Sequence, residues 1–141
     1  MNKTYYFSQE VNFPDIDLGG GMYHGRYLDY YDRARQKILT DNGISFGKML
    51  KEKTALVVAE MNLQFKKPIF FEDRVYIYSK IISRRDKSLQ IEQIITTEEP
   101  DQVGNEPPKS WNNKATFTIV CADLVTKRAT SFPEYMEPIF S

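Results

Sequence analysis

The spacing of apolar residues predicts one long helix near the start of the chain. Thr4 to Phe13 is rich in tyrosine, phenylalanine and valine, which is typical of a first strand, and Pro14 ends it. From His24 to about Asn42 the apolar residues recur at helical spacing on one face. That face consists of Tyr27, Tyr30, Tyr31, Ala34 and Ile38. Asn42-Gly43 is a helix stop, and a shorter helix is expected at about Ser45 to Glu52.

After Lys53 the pattern changes to the alternation of apolar and polar residues that is typical of β-strands. Strands are predicted over Val57 to Phe65, Val75 to Ile81, Leu89 to Thr97 and Trp111 to Asp123, with an exposed loop at Glu98 to Ser110. Because no long helix separates these strands, they should pair antiparallel. The sequence therefore predicts an α+β fold, with an antiparallel five-stranded sheet wrapped around one long helix, in a single domain over residues 1–141.

The strand faces that point away from the helix are only half polar. Tyr76, Tyr78, Ile94 and Val120 would lie there and would be exposed to water in a monomer. Because soluble monomers rarely expose large apolar patches, we expect the protein to form a homodimer or a homotetramer.

Composition and charge exclude several classes of protein. The 141 residues contain 19 basic and 19 acidic side chains, which argues against a partner as strongly charged as a nucleic acid. No apolar run approaches the roughly 20 residues that span a bilayer, and the first residues lack the apolar region of a signal peptide. A cytoplasmic protein without a membrane span is expected.

Few residues are available for common hydrolytic mechanisms. His24 is the only histidine, and the single cysteine, Cys121, lies within an apolar alternation typical of a core residue. The chain has no G-x-S-x-G motif, and Gly47-Lys48 is followed by methionine rather than the serine or threonine of a phosphate-binding loop. Asp15 and Asp17 could bind a hard metal ion, but no further candidate ligands cluster nearby in sequence.

The segment from Pro14 to Gly21, PDIDLGGG, brings a carboxylate and a glycine turn directly before the predicted helix start. The unpaired N–H groups of a helix N-terminus can stabilise negative charge that develops on a carbonyl oxygen. A carboxylate nearby could attack that carbonyl or activate water to attack it. The same spacing also suits a role in which Asp15 and Asp17 only build a turn or cap the helix.

Phe13 to Arg35, FPDIDLGGGMYHGRYLDYYDRAR, resembles the signature of the hotdog-fold 4-hydroxybenzoyl-CoA thioesterase family. It is most similar to the branch of bacterial acyl-CoA thioesterases associated with the Tol–Pal system. The resemblance extends through Val57 to Ile81 and into Thr118 to Asp123. It implies a hotdog fold and a dimer or dimer of dimers. It also implies hydrolysis of an acyl-CoA thioester at the subunit interface, with no metal or cofactor.

The resemblance also implies roles for individual residues. Asp17 takes the position of the catalytic carboxylate, which acts as base or nucleophile. His24 takes the position whose backbone N–H polarises the thioester carbonyl at the helix start, beside Tyr23.

A cluster of three basic residues and one separate arginine also need an explanation. Members of the family tend to bind the nucleotide near the turn that here contains Arg84, Arg85 and Lys87, so these three are candidate contacts to the CoA phosphates. A solvated turn is the alternative. Arg35 falls inside the apolar arc of the long helix, and we expect it to form a structural ion pair or to cap a carbonyl.

Two classes of function remain open. The first is a thioester hydrolase that acts on acyl-CoA, or on an acyl-carrier-protein thioester by the same chemistry. The second is a non-catalytic hotdog domain that binds an acyl ligand or another protein. The acyl group itself is not encoded in a recognisable motif.

Overall fold

The computed structural model describes residues 3–100 and 106–141. The strands in this part of the chain are β1 Thr4–Glu10, β2 Thr54–Phe65, β3 Arg74–Arg84, β4 Ser88–Thr96, β5 Asn113–Asp123 and β6 Arg128–Ala129. The helices are α1 Tyr27–Asp41 and α2 Phe46–Lys51, with 3-10 turns at Phe13–Asp15, His24–Arg26 and Glu134–Phe140. No helix among the described residues is both long enough and apolar enough to cross a membrane.

The strands form one antiparallel sheet in the order β1-β3-β4-β5-β2. This confirms the predicted five-stranded arrangement, to which the two-residue β6 is added beside β5. β2 pairs with β5 rather than with its neighbour in sequence, β3, and therefore lies at an edge of the sheet. β1 is predicted too long, because the chain leaves the strand after Glu10 and Pro14 is accommodated in a 3-10 turn.

The predicted apolar face of α1 is buried against the sheet. Its buried residues include Tyr27, Tyr30, Tyr31, Ala34 and Ile38, all within the main core cluster. Gly43 follows the helix with φ of 75°, a conformation that glycine adopts without steric cost. This agrees with the helix stop predicted at Asn42-Gly43. α2 begins after Ser45, whose Oγ accepts a hydrogen bond from the N–H of Lys48.

A bulge at Ala59 changes which residues of β2 face the helix. The register shifts between Val58 and Glu60, so Val58 pairs with Ile119 and Met61 pairs with Phe117. Directly paired residues lie on the same side of a sheet, and both partners belong to the core. Uninterrupted alternation would place Val57 and Met61 on one face, but the extra residue places them on opposite faces.

The part of the outer face formed by β3 and β4 is covered within the single chain. Tyr76, Tyr78 and Ile94 are only 9%, 2% and 7% exposed, because Tyr6 and Trp111 pack against them. The expectation that a monomer would leave these three residues in water is therefore wrong, whereas Val120, the fourth residue expected there, is only partly buried. Residues 101–105 of the predicted exposed loop lie outside the described residues.

Candidate active site

Asp17 lies in a tight turn at the tip of a short hairpin. Its N–H donates to the carbonyl of Gly21 at 3.0 Å, and its carbonyl accepts from the N–H of Gly20, also at 3.0 Å. Gly20 has φ of 89°, which favours glycine. Asp17 Oδ1 accepts a hydrogen bond from the N–H of Gly19 at 2.8 Å, and the side chain is otherwise exposed. The turn thus presents an accessible carboxylate in a defined orientation.

The hairpin is fixed to the segment that connects β2 with β3. Ile16 and Met22 form an isolated antiparallel bridge, and Gly21 forms another with Phe70. The N–H of Met22 donates to the carbonyl of Ile69 at 2.6 Å. The Asp17 turn is therefore held beside the end of β2 and the start of β3.

His24 begins the helical segment that continues into α1. The preceding residue, Tyr23, has extended backbone angles and provides no side-chain cap. Tyr23 donates its N–H to the carbonyl of Asp15 at 2.8 Å, whereas the N–H of His24 has no acceptor in the described part of the chain. An uncapped helix start offers N–H groups to a carbonyl or an anion.

Gly25 is a further candidate site residue, which the sequence pattern did not single out. The ring of Tyr23, which is 48% exposed, lies 4.3 Å from the His24 ring, centroid to centroid. A Cβ at Gly25 would approach Tyr23 Cε2 to 2.8 Å. Glycine at this position therefore allows the tyrosine ring to fold over the helix start. In the sequence, this role of Gly25 is indicated only by the position of a glycine directly after Tyr23-His24.

Asp15 and Asp17 have different surroundings, although one residue separates them. Asp15 is buried, and its Oδ2 accepts a hydrogen bond from Tyr30 Oη at 2.5 Å. Its Oδ1 lies 3.7 Å from Arg26 Nε. Burial and the bond to Asp15 raise the pKa of Tyr30, so the tyrosine stays a donor. Asp15 anchors the hairpin to α1, and Asp17 is left as the accessible carboxylate.

Several large apolar side chains on the hairpin, on the segment beside it and next to the helix start are exposed. They include Phe13, Leu18, Phe65, Phe70 and Phe71. Phe13 and Phe71 pack edge to face at 5.3 Å, and Phe65 packs in the same way on Tyr27 at 5.2 Å. Exposed apolar clusters of this kind mark surfaces that bind a ligand or another protein surface.

The predicted phosphate contacts lie far from Asp17 within one chain. Arg84 ends β3, and the Asp17 hairpin adjoins the segment before the start of this strand. Eleven residues of β-strand span roughly 33–36 Å. The structure therefore does not bring the basic turn and the candidate carboxylate together within one subunit.

Arg84 is engaged within the chain. Its Nη1 and Nη2 donate to the two carboxylate oxygens of Glu137 at 2.7 and 2.6 Å, and the guanidinium lies 3.9 Å from the ring centroid of Phe140. The bond to Arg84 lowers the pKa of Glu137. Arg85 and Lys87 are exposed and form no ion pair with another described residue. The basic turn thus divides into one structural arginine and two accessible cations.

Arg35 has the structural role that its position in the helix predicts. Its Nη1 donates to the side-chain carbonyl of Gln93 at 2.8 Å, and its Nη2 lies 3.5 Å from Asp32 Oδ1. The guanidinium also stacks 4.3 Å from the ring centroid of Phe117. Burial lowers the pKa of Arg35, and the nearby Asp32 opposes this effect. Both predicted interactions, the ion pair and the capped carbonyl, are present.

Cys121 is buried, and burial raises the pKa of its thiol, as expected for a core residue. No cluster of three or more histidine, cysteine or acidic side chains that could hold a metal ion occurs within residues 3–100 and 106–141.

An antiparallel sheet wrapped around one long helix defines a hotdog fold. Residues 11–139 match the sequence profile of the thioesterase-like superfamily. The chain belongs to this superfamily, which confirms the predicted fold and enzyme class.

Individual relatives cover nearly all of the chain. The acyl-CoA thioester hydrolase YbgC of Escherichia coli O6:H1 (strain CFT073) is 29% identical over 135 residues, which are 95% of this chain and 94% of the relative. The long-chain acyl-CoA thioesterase FadM of Escherichia coli K12 is 31% identical over 114 residues, or 81% and 80% of the two chains. The crystal structure of a 1,4-dihydroxy-2-naphthoyl-CoA thioesterase from Synechocystis has the same fold, with a TM-score of 0.82, 17% identity and coverage of 98% and 96%.

Proposed function

We propose that this protein hydrolyses acyl-CoA thioesters to a free acid and CoA, with Asp17 as the catalytic carboxylate. The observation that carries this proposal is the accessible carboxylate of Asp17, held on a fixed turn of the hairpin that leads directly into the uncapped helix start at His24. The names of YbgC and FadM support acyl-CoA as the substrate class. An acyl-carrier-protein thioester would need the same chemistry, and a cytoplasmic location stays a prediction.

The reaction divides between these two groups. The thioester carbonyl oxygen accepts a hydrogen bond from the N–H of His24, which stabilises the negative charge that develops during attack. Asp17 either takes a proton from the attacking water or attacks the carbonyl carbon itself and forms a mixed anhydride that water then hydrolyses. In both routes the C–S bond breaks and the CoA thiolate leaves, to be protonated. Tyr23 covers the helix start at which the carbonyl would bind.

The direct test is a screen of saturated, branched and aromatic acyl-CoAs with a thiol reagent that detects released CoA. We expect turnover of at least one class at kcat values typical of enzymes, about 1 s⁻¹ or more. Absence of turnover with every CoA and carrier-protein thioester would instead support the non-catalytic alternative, an acyl-ligand-binding or protein-interaction domain.

We also propose that the protein self-associates through β2, rather than through the outer face of the sheet. β2 is an edge strand with one unpaired side, and such edges are templates for pairing with another chain. Met61 and Phe65 on this strand are 49% and 55% exposed. Because Phe65 contacts Tyr27 near the helix start, the edge is continuous with the apolar surface around Asp17.

Sedimentation should therefore give a dimer or a tetramer at micromolar concentration. Met61→Glu should shift the protein towards the monomer, because it places a charge on the apolar edge. Ile82→Glu is the matched control, since Ile82 is 43% exposed but lies on β3, which β4 and β5 separate from this edge. A monomeric wild-type protein would contradict both the interface and a site completed by a second subunit.

Arg85 and Lys87 remain candidates for binding the CoA phosphates, and they would contact substrate bound at the Asp17 of another subunit. Arg85→Ala with Lys87→Ala should raise KM for an acyl-CoA several-fold more than KM for the matching acyl-pantetheine, which lacks the nucleotide. Arg84→Ala is the comparison, and we expect it to lower thermal stability because the pair with Glu137 is lost. Equal effects on both substrates would exclude the phosphate role.

A further inference from the structure

Asn112, the residue directly before β5, is a buried polar residue with no part in the proposed reaction. It is only 4% exposed. Its N–H donates to the carbonyl of Ile95 at 2.8 Å, and its carbonyl accepts from the N–H groups of Lys66 and Lys67 at 2.9 and 3.1 Å. The backbone of Asn112 therefore joins the end of β2 to the end of β4.

The side chain of Asn112 connects two further segments. Its Oδ1 accepts a hydrogen bond from the N–H of Thr97 at 3.0 Å, just beyond β4. Its Nδ2 donates to the carbonyl of Pro68 at 3.1 Å, in the segment between β2 and β3. The opposite orientation of the amide would place its NH₂ against an N–H and its oxygen against a carbonyl, so these two partners fix one orientation.

The peptide group between Pro68 and Ile69 is held from both sides. Its carbonyl, which belongs to Pro68, accepts the hydrogen bond from Asn112. Burial raises the pKa of the Tyr27 hydroxyl, and a backbone hydrogen bond from Ile69 opposes this effect, so the N–H of the same peptide group points at the first turn of α1. Because a peptide group is planar, fixing its two polar atoms fixes the direction of the chain at Ile69.

Ile69 in turn carries the hairpin of Asp17. Its carbonyl accepts from the N–H of Met22 at 2.6 Å, and its own side chain is fully buried in the core. The residue before Met22 is Gly21, whose carbonyl accepts from the N–H of Asp17 at 3.0 Å. Three hydrogen bonds, with short stretches of chain between them, therefore connect Asn112 with Asp17.

We propose that Asn112 is a positioning residue for thioester hydrolysis, and this inference rests on the proposed function of Asp17. The side chain of Asn112 sets the plane of the Pro68–Ile69 peptide group. That plane sets where the carboxylate turn lies relative to the helix start at His24. Because a misplacement of about 1 Å between reacting groups can lower a rate about a hundredfold, a residue without substrate contact can control kcat in this way.

The test uses Asn112→Asp, which keeps the acceptor for Thr97 but places an oxygen against the carbonyl of Pro68. We expect kcat to fall about tenfold to a hundredfold, while the dissociation constant of a non-hydrolysable thioether analogue changes less than about threefold. Asn42→Asp is the matched control, because Asn42 Nδ2 also donates to a backbone carbonyl, that of Ile38 at 2.7 Å, but at the far end of α1. Both substitutions should lower Tm, but only Asn112→Asp should lower kcat. An unchanged kcat in Asn112→Asp, or the same decrease in both variants, would overturn the proposal.

Hydrogen exchange separates this inference from the proposed function. The amide of Met22 should exchange about tenfold faster in Asn112→Asp than in the wild type and in Asn42→Asp, whether or not any thioester is hydrolysed. Unchanged exchange at Met22 would overturn the positioning role even if acyl-CoA is hydrolysed. If Asn112→Asp does not fold, Asn112→Ser provides the second test, because it removes the bond to Pro68 without adding a charge. It should show the same faster exchange and lower kcat, and wild-type values of both would count against the proposal.

Discussion

Replacement of Asp17 by asparagine is expected to lower kcat by about a thousandfold or more, with little change in substrate binding. Asparagine has nearly the same size, but it is neither a base nor a competent nucleophile. Loss of general-base assistance alone costs about 10²–10⁴ in rate, and each factor of ten is about 1.4 kcal/mol of barrier. Steady-state kinetics with the best substrate of the screen measures the effect, and the dissociation constant of a non-hydrolysable thioether analogue measures binding.

The structure provides a reason to expect that this variant folds. The hydrogen bond that the Asp17 carboxylate accepts from the N–H of Gly19 can also be accepted by the side-chain oxygen of asparagine. An unchanged melting temperature is therefore the control. A variant that keeps more than about a tenth of the wild-type rate would mean that Asp17 is not the catalytic group.

A single turnover of the wild-type enzyme in ¹⁸O-water distinguishes the two routes. If Asp17 attacks the thioester, hydrolysis of the mixed anhydride at the aspartyl carbonyl leaves the label on Asp17. The first product acid then carries an unlabelled oxygen from the side chain. If Asp17 activates water, the label enters the product acid directly. Mass spectrometry of the product and of the peptide that contains Asp17 gives the answer.

Periodicity predicted the parts of the fold that depend on local pattern. The buried face of α1 and the helix stop at Gly43 follow from side-chain spacing and from the conformational freedom of glycine, which do not depend on the partner elements. The position of β2 does not follow in this way. Which strand it pairs with, and the bulge at Ala59, are decided by packing across the sheet.

The candidate site shows the same division. The order of carboxylate, glycines and helix start is visible in the sequence, but the roles of Asp15 and Asp17 separate only once Tyr30 and Arg26 are seen beside Asp15. The partner of Arg84 lies 53 residues further along the chain, in a 3-10 turn that no strong periodicity marks. A run of basic residues therefore could not reveal that one of them is already neutralised by Glu137.

Asp15→Asn is expected to destabilise the protein, in contrast to Asp17→Asn. The substitution replaces one of two carboxylate oxygens by an NH₂ group, which must face either Tyr30 Oη or the Arg26 guanidinium. Because Asp15 is only 6% exposed, water cannot compensate for the lost acceptor. A buried polar group left without its partner lowers the free energy of unfolding by about 1–3 kcal/mol. Loss of the ion pair with Arg26 adds little to this, because Arg26 is half-exposed and solvent screens its charge.

We therefore expect a loss of about 2 kcal/mol and a decrease in Tm of roughly 5–10 °C, measured by thermal and urea unfolding. Tyr30→Phe removes the same hydrogen bond from the other side, so the double variant completes a cycle that isolates the coupling between the two residues. Because Asp15 anchors the hairpin that carries Asp17, its loss should also lower kcat, but by far less than the loss of Asp17 itself. An Asp15→Asn protein with the same melting temperature as the wild type would show that the bond to Tyr30 does not hold the hairpin in place. The fixed position of Asp17 would then have to come from the bridges to Met22 and Phe70 alone.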